Sequence, residues 1–351
     1  YNLEVHILDP DPNAPCKYLS NKFVNGDLKD YDAVYAFGKD CDVISIEIEH
    51  VNTEALFQLE KEGKKVFPQP HIIALIQDKR TQKQFYLDQG IPTAAFILTD
   101  NKEEVKQNAD FLPAVNKLGK EGYDGRGVQM MRKAEDLEKA FDAPGLLEKL
   151  IDFDKELAVI VSRNEAGEVK SFPSVECAFH PEHNLVEFLF SPADISTEVD
   201  ARARDLAEKV IQKLDMVGLL AVELFLTKSG ELLVNEIAPR PHNSGHHTIE
   251  ANFTSQFEQH LRSVMGMPLG ETGLRCPAAM INLLGEDGYT GDAIVEGLDE
   301  AIMEKGVYLH LYGKKLTKPF RKMGHVTLLA EDASLLKAKA ERIKELIKIK
   351  A

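Results

Sequence analysis

A chain of 351 residues is long enough for two or three domains with a proper core. Its 57 acidic against 42 basic residues give a formal net charge of −15. That excludes a nonspecific nucleic-acid surface and confines any phosphate site to a local basic pocket. No apolar run approaches the length of a bilayer crossing, so no membrane partner is expected. Cys16, Cys41, Cys177 and Cys276 form no CxxC or Cys/His metal pattern and read as reduced thiols of a cytoplasmic protein.

The chain opens on a strand, Val5–Leu8, as though on the second strand of a βαβ unit whose first strand, glycine turn and helix are absent from the sequence. Cys41–Ile48 reads as a stronger strand, Thr53–Glu62 as a helix ending at Gly63, and Lys65-Val66-Phe67 as the start of another strand. Strand–helix–strand repetition predicts a parallel sheet in an α/β layer. Glu47, Glu49 and His50 close the Cys41–Ile48 strand, where open α/β sheets place ligands; a charged strand end meeting solvent reads equally well.

Asp78–Gly90 is predicted helical with Lys79 in its first turn, followed by a strand over Thr93–Leu98 and a helix over Lys102–Ala109. Ala114–Lys117 leads into the glycine-rich stretch 119–127, and Val128–Met131 leaves it. No GxxxxGK[ST] is present and no helix follows, so the stretch is neither a P-loop nor a dinucleotide fingerprint. Its glycines, with Lys117, Lys120 and Arg126, suit backbone approach to phosphates, or else a flexible hairpin tip. Leu146–Ile151 is an apolar strand containing Glu148, and Glu156 opens the strand Leu157–Val161. Val169–Val175 and Leu185–Phe190 continue the antiparallel set. The helix Thr197–Leu214 carries Ala203, Ala207, Val210 and Leu214 at the spacing of a core stripe.

Two strand-like runs, Leu219–Thr227 and Glu231–Ile237, flank Lys228-Ser229-Gly230 and read as a β-hairpin. A turn centred on Ser229-Gly230 sets Glu223 directly opposite Glu236. Like charges in that position repel, and a divalent cation held by two carboxylates removes the conflict. Arg240, His242, Asn243, Ser244, His246 and His247 follow in a proline- and glycine-rich loop, which suits a substrate loop on a rigid scaffold. Ser255–Met265 is a helix. The segment 275–351 reads as a smaller unit, with strands Ala278–Leu284, Val307–Tyr312 and Val326–Leu329 and a terminal helix Ala333–Ile349. Its loop 313–325 is the most basic short run of the chain, either a solvated hairpin loop or a phosphate grip by Lys314 and Arg321.

DKRTQKQ at 78–84, GYDGRG at 122–127, the Glu148…Glu156 pair, NEIAPRPHNSGHHT at 235–248 and RKMGH at 321–325 occur in this order. On these residues the chain resembles the ATP-grasp superfamily and, within it, the N(5)-carboxyaminoimidazole ribonucleotide synthetases. The resemblance implies an ATP-grasp fold of α/β class, α+β in the ATP-grasp part. A Rossmann-like N-terminal parallel sheet (1–76), an ATP-grasp domain (77–270, with a mobile subdomain at about 93–150) and a small β-rich C-terminal domain (271–351) would make up the chain. The implied reaction is ATP-dependent carboxylation of 5-aminoimidazole ribonucleotide by bicarbonate through carboxyphosphate. The cofactor would be Mg²⁺, two ions with ATP bound, and the assembly a homodimer. A formate-using glycinamide ribonucleotide transformylase and a non-catalytic nucleotide-binding protein of the same fold are the alternatives.

By position, the resemblance assigns ATP to Lys79, Lys117, Gly122, Tyr123, Asp124, Gly125, Arg126 and Gly127. Glu148, Lys149, Leu150 and Ile151 would line the adenine, and Glu156 would take the ribose. Glu223 and Glu236 would ligate the metal with Asn235 assisting. Arg240, His242, Asn243, Ser244 and Lys117 would serve the chemistry, with His242 handling a proton. Glu49, Tyr123, Asp124, Arg126, Arg240, Lys314 and Arg321 would face the ribonucleotide.

Overall fold

The structure, a computed structural model, describes residues 1–120, 127–179 and 186–351. In the N-terminal segment His6–Asp9 pairs in parallel with Lys22–Asn25, and Val43–Ile44 with Lys65–Val66. The helices Tyr31–Lys39 and Thr53–Lys61 start where Asp30 and Asn52 accept the backbone N–H three residues on. Val34, Ile44, Leu56, Leu59 and Ile73 form the core beneath them. The strand expected over Cys41–Ile48 contracts to Val43–Ile44. Its one described ladder partner runs into Pro68, which has no N–H to continue the pairing. Pro70, instead of ending a strand, stands at the first position of a helix, Pro70–Ile76.

Helix Lys79–Asp88, capped by Asp78, leads to a four-stranded antiparallel sheet in the spatial order Phe96–Thr99, Gly145–Lys149, Ala114–Leu118, Val128–Met131. A larger sheet of nine strands carries Leu232–Ala238 at one edge, then Gly218–Thr227, Phe153–Arg163, Val175–Phe179, Val186–Ser191, Ala278–Leu284, Lys322–Leu329 and Val307–Leu311. Val169–Ser171 pairs off this path with Phe153–Arg163. The single strand expected over Val169–Val175 is thus two strands, separated by a segment that contains Pro173. Helix Thr197–Lys213 lays Ala203, Leu206, Ala207, Val210 and Ile211 on the sheet against Val159, Val161, Leu220 and Val222. Each buried Leu, Val and Ile among these contributes about 1.5–3 kcal/mol, and each Ala methyl roughly 0.8 kcal/mol.

The C-terminal segment adds its strands to the same sheet, through Ala278–Leu284 beside Val186–Ser191. Behind them helix Ser334–Leu346 packs Leu336, Ala340 and Ile343 on Ile281, Val326 and Leu328. That helix ends earlier than Ile349: Lys348–Lys350 is a strand paired with Ile294–Glu296. Ile347 and Ile349 are buried and alternate with lysines, a strand period where the helical stripe runs out. Among the described residues no helix is long and apolar enough to cross a membrane.

Candidate active site

One face of the four-stranded sheet and one face of the nine-stranded sheet enclose a cleft of about 1530 Å³. Its metal-side wall is the hairpin Gly218–Thr227/Leu232–Ala238, where Glu223 does lie opposite Glu236. The register slips at that point. Glu223 pairs with Glu236 but Leu224 pairs with Val234, so Asn235 is an extra residue in a β-bulge. Regular pleating would turn Asn235 and Glu236 to opposite faces. The bulge lets both line the cleft together with Glu223.

The two carboxylates are electrostatically unequal. Burial, reinforced by the nearby Glu236 and Glu156, pushes Glu223 up to about 7. Burial also pushes on Glu236, but its ion pair with Lys79 Nζ, aided by Lys117 and His242, outweighs that and holds the group below the ordinary value. Among the described residues no group of three or more His, Cys, Asp or Glu forms a protein-only metal site. Two carboxylates with an amide oxygen beside them suit Mg²⁺, which takes one or two carboxylates and completes its shell with phosphate oxygens and water.

Across the cleft, strand Ala114–Leu118 presents Lys117. Its Nζ lies 3.1 Å from Glu148 Oε2 and donates to Asn235 Oδ1 at 3.3 Å. Glu148, expected to line an adenine, is only 2% exposed, and its other oxygen is 3.2 Å from the equally buried Lys83. Lys149 turns its ammonium to the carbonyls of Phe111 and Leu112, and its backbone N–H donates to Ala95 O at 2.8 Å. That N–H is therefore not free for an adenine edge. Leu150 and Ile151 line the cleft beside it. Glu156, opposite Phe225 on the neighbouring strand, is pushed by burial to about 7, with Lys117 opposing the shift. Phe153 and Phe225 stack at 4.8 Å along the same wall.

The loop after the metal strand is tightly held. Arg240 Nε lies 2.8 Å from Glu49 Oε1, and its Nη1 donates to Pro241 O at 3.1 Å. Glu47 behind them is raised by burial, with Arg240 partly offsetting it. His242 Nδ1 accepts from the Ser244 N–H at 3.3 Å and sits 2.9 Å from the Ser244 hydroxyl. Nε2 then carries the proton and faces Glu223 Oε1 at 3.6 Å. Burial first, then Arg240 and the neighbouring His246 and Lys322, depress His242 to about 3, so the ring is neutral at pH 7. Asn243 and Ser244 line the cleft beside it.

The remaining expectations divide. Gly122, Tyr123, Asp124, Gly125 and Arg126 lie outside the described residues. Gly127 has a φ of 73° and accepts the Leu118 N–H through its carbonyl. Lys314 Nζ donates to Lys322 O at 2.9 Å and Arg321 Nη1 to Leu316 O at 2.7 Å, and the Lys314 charge also bears on Glu47 beside Arg240. Lys322 lines the cleft.

Sequence reasoning assigned no role to Lys83, Gln256, Phe153, Phe225 or Lys322. Lys83 lies inside DKRTQKQ at 78–84, and its helical spacing from Lys79 (i, i+4) puts both ammonium groups on one face. Gln256 carries no such signal. Fully buried, it accepts the His242 N–H at 2.9 Å and donates to the His242 carbonyl at 2.8 Å, fixing the loop from behind.

Three family models match the chain in succession. Residues 1–77 match a ribonucleotide synthetase preATP-grasp domain, 84–257 an ATP-grasp domain, and 278–339 a phosphoribosylaminoimidazole carboxylase C-terminal domain. The chain is 37% identical over 335 residues to N5-carboxyaminoimidazole ribonucleotide synthase of Bacillus subtilis, covering 93% of this chain and 86% of that protein. It is 38% identical to the chloroplastic phosphoribosylaminoimidazole carboxylase of Vigna aconitifolia over 96% of this chain, but spans only 61% of that relative's length.

Among solved structures, N5-carboxyaminoimidazole ribonucleotide synthetase from Thermotoga maritima superposes with a TM-score of 0.92 at 40% identity, covering 100% of this chain and 93% of that one. The Aspergillus clavatus N5-carboxyaminoimidazole synthase in complex with ADP and 5-aminoimidazole ribonucleotide gives 0.88 at 31%, covering 98% and 92%. With such identity along most of both chains, and the three models following one another in order, the chain belongs to the N5-carboxyaminoimidazole ribonucleotide synthase family of ATP-grasp ligases.

Proposed function

We propose that this chain carboxylates 5-aminoimidazole ribonucleotide with bicarbonate at the expense of ATP, giving N5-carboxyaminoimidazole ribonucleotide, ADP and phosphate in purine (IMP) biosynthesis. The observation that carries the reading is the bulged Glu223/Asn235/Glu236 corner facing Lys79 and Lys117 across one cleft. Phosphoryl transfer needs little else from a protein than positioning and charge. A bicarbonate oxygen attacks the γ-phosphorus and ADP leaves. The amine of the ribonucleotide then bonds to the carboxyl carbon of carboxyphosphate, loses a proton, and phosphate departs.

Lys79 and Lys117 hold the phosphate oxygens, and Glu156 takes the ribose hydroxyls. Glu223 and Glu236, with Asn235, hold Mg²⁺, which supplies charge neutralisation at the transferring phosphoryl oxygens. Arg240, anchored through Nε by Glu49, keeps the outer edge of its guanidinium for the bicarbonate or carboxyphosphate anion. With His242 Nδ1 engaged by Ser244, any proton this ring gives or takes passes through Nε2. Tyr123, Asp124, Arg126 and Glu49 serve the ribonucleotide. Lys314 and Arg321 serve the ribonucleotide from the basic loop, with Lys322 lining the cleft beside them. The chain works as a cytoplasmic homodimer. Phosphate release from ATP, Mg²⁺ and bicarbonate should be stimulated by aminoimidazole ribonucleotide and not by glycinamide ribonucleotide plus formate; the reverse pattern would reassign the chain to formate transfer.

Glu156 gives a pH signature. Its folded value, about 7, lies above the ordinary 4.5, so the folded chain binds the extra proton between them. Stability of the nucleotide-free protein therefore falls as pH rises from 4.5 to about 7, by up to about 3 kcal/mol from this group. Glu156→Gln should flatten the melting profile relative to the parent over that window. Ribose hydroxyls donate to the ionised carboxylate, so from pH 6 to pH 7 ATP affinity should tighten more steeply in the parent than in the variant, where Glu223 alone of the two still ionises over that range. Equal pH dependence in both proteins would remove Glu156 from the ribose.

A further inference from the structure

One buried cation has no part in the chemistry above. Lys83 is on the helix Lys79–Asp88, one turn after Lys79, and only 2% exposed. Its ammonium meets three groups from three elements. Glu148 Oε1 on the four-stranded sheet is 3.2 Å away, Thr93 Oγ1 on the connector accepts a hydrogen bond at 2.5 Å, and the ring of the fully buried Tyr86 lies 5.7 Å off. Thr93 passes the contact on, donating to Val234 O at 2.7 Å, next to Asn235 and Glu236. Glu148 passes it on as well, through its other oxygen to Lys117, which reaches Asn235. Two routes from Lys83 thus converge on the same stretch of the metal strand.

A buried carboxylate sheltered from water must be matched in charge, and a single lysine can match it completely. Here one carboxylate is shared by two lysines. We propose that Lys83 is a positioning residue for the phosphate end of the cleft: by taking one oxygen of Glu148 it keeps Lys117 aimed at the metal strand while leaving that ammonium only partly neutralised, so that its remaining charge meets the phosphates of ATP. The proposal rests on the reading of Lys117 as a phosphate contact. It makes Glu148, which lines the cleft beside Leu150 and Ile151, the shared anchor of two lysines. Without the Lys83 charge, Glu148 closes on Lys117 alone and the cleft loses most of one positive charge.

Burial, with a smaller push from Lys117, lowers Lys83 to about 8 against the opposing pull of Glu148 and Glu236. Thr93 and Tyr86 complete its surroundings and are uncharged below pH 9, with burial and the nearby Glu236, Glu148 and Glu223 holding Tyr86 well above its ordinary value. Raising the pH from 7 to 9 therefore removes the Lys83 charge without a mutation. The test is the Kd of MgATP, read by calorimetry on the whole chain, so that it does not depend on carboxylation. A parent that binds nucleotide but shows no ribonucleotide-stimulated turnover would refute the function and leave this test intact.

Lys83→Met should weaken MgATP about tenfold or more at pH 7, while the double variant Lys83→Met/Glu148→Gln, in which Lys117 is freed again, should recover most of that loss. In the parent, affinity should fall between pH 7 and 9; in Lys83→Arg, which keeps its charge, and in the double variant, that fall should be absent. If Lys83→Met does not fold, the pH comparison of parent, Lys83→Arg and double variant decides alone. A double variant that binds worse than Lys83→Met, or the same pH dependence in all folded proteins, would overturn the proposal, as would a Lys83→Met that melts lower with unchanged Kd.

Discussion

Glu236→Gln should lower turnover by at least about 10³-fold at saturating Mg²⁺ and ATP, because several kcal/mol of charge stabilisation at the transferring phosphoryl group depends on the Glu223/Glu236 pair. Gln keeps the shape and one acceptor oxygen, so the hairpin register and the bulge at Asn235 survive. The like-charge conflict that helps push Glu223 up to about 7 is removed. Lys79, which pairs with Glu236, is released to the nucleotide. ATP binding should therefore weaken far less than turnover, and the melting temperature should move by only a few degrees. Steady-state phosphate release alongside calorimetric ATP binding checks both arms. A loss of turnover under tenfold would exclude Glu236 as a metal ligand.

Arg240→Lys should cost about 10²-fold in kcat/KM for bicarbonate although the charge is kept. The guanidinium works on two fronts at once: Nε toward Glu49 in the N-terminal segment, and Nη1 toward its own loop at Pro241 O. The rest of its donor fork is left for an anion. An ammonium on a flexible stem can follow Glu49 or the anion, but it cannot hold the planar geometry toward both. The loop itself should stay in place, because Gln256 and Ser244 fix His242 without help from Arg240. Steady-state kinetics with bicarbonate varied checks this. An unchanged kcat/KM with a lowered melting temperature would make Arg240 a purely structural link to Glu49.

The metal hairpin was legible in the sequence from strand alternation and the Ser-Gly turn, but its register was not: beside the turn Leu226 lies opposite Leu232, one residue off a turn centred on Ser229-Gly230, and only the bulge at Asn235 brings Glu223 opposite Glu236. The bulge at Asn235 was not legible. Inserting one unpaired residue leaves no compositional mark, yet it decides that Asn235 and Glu236 share a face. Local β propensity favours a strand over all of Cys41–Ile48 but says nothing about whether a partner strand continues, and only Val43–Ile44 is paired. The terminal helix was overextended for a related reason: Ile347 fits both the helical stripe and the strand that follows, and only pairing with Ile294–Glu296 decides.

Within the site, residue types placed by motif (Lys79, Lys117, Glu156, Arg240, His242) converge on one cleft. What each carboxylate and lysine faces inside that cleft is a tertiary matter. Glu148 looked like an adenine neighbour from its strand position, and only the packing of the helix Lys79–Asp88 on that strand turns it toward Lys83. In the basic loop the sequence shows a cluster of cations without showing which one points inward; strand Lys322–Leu329 begins at Lys322 and carries that residue to the cleft.

In the proposed reaction ATP in this cleft phosphorylates bicarbonate before carbon meets nitrogen. Turnover with ¹⁸O-labelled bicarbonate and unlabelled ATP, in the presence of aminoimidazole ribonucleotide, tests it most directly. The oxygen that attacks the γ-phosphorus leaves with phosphate when the carboxyl carbon is transferred, so each phosphate released should carry one ¹⁸O. Carboxylated product accompanied by unlabelled phosphate would contradict the account, since ATP would then be hydrolysed by water rather than by attack from bicarbonate.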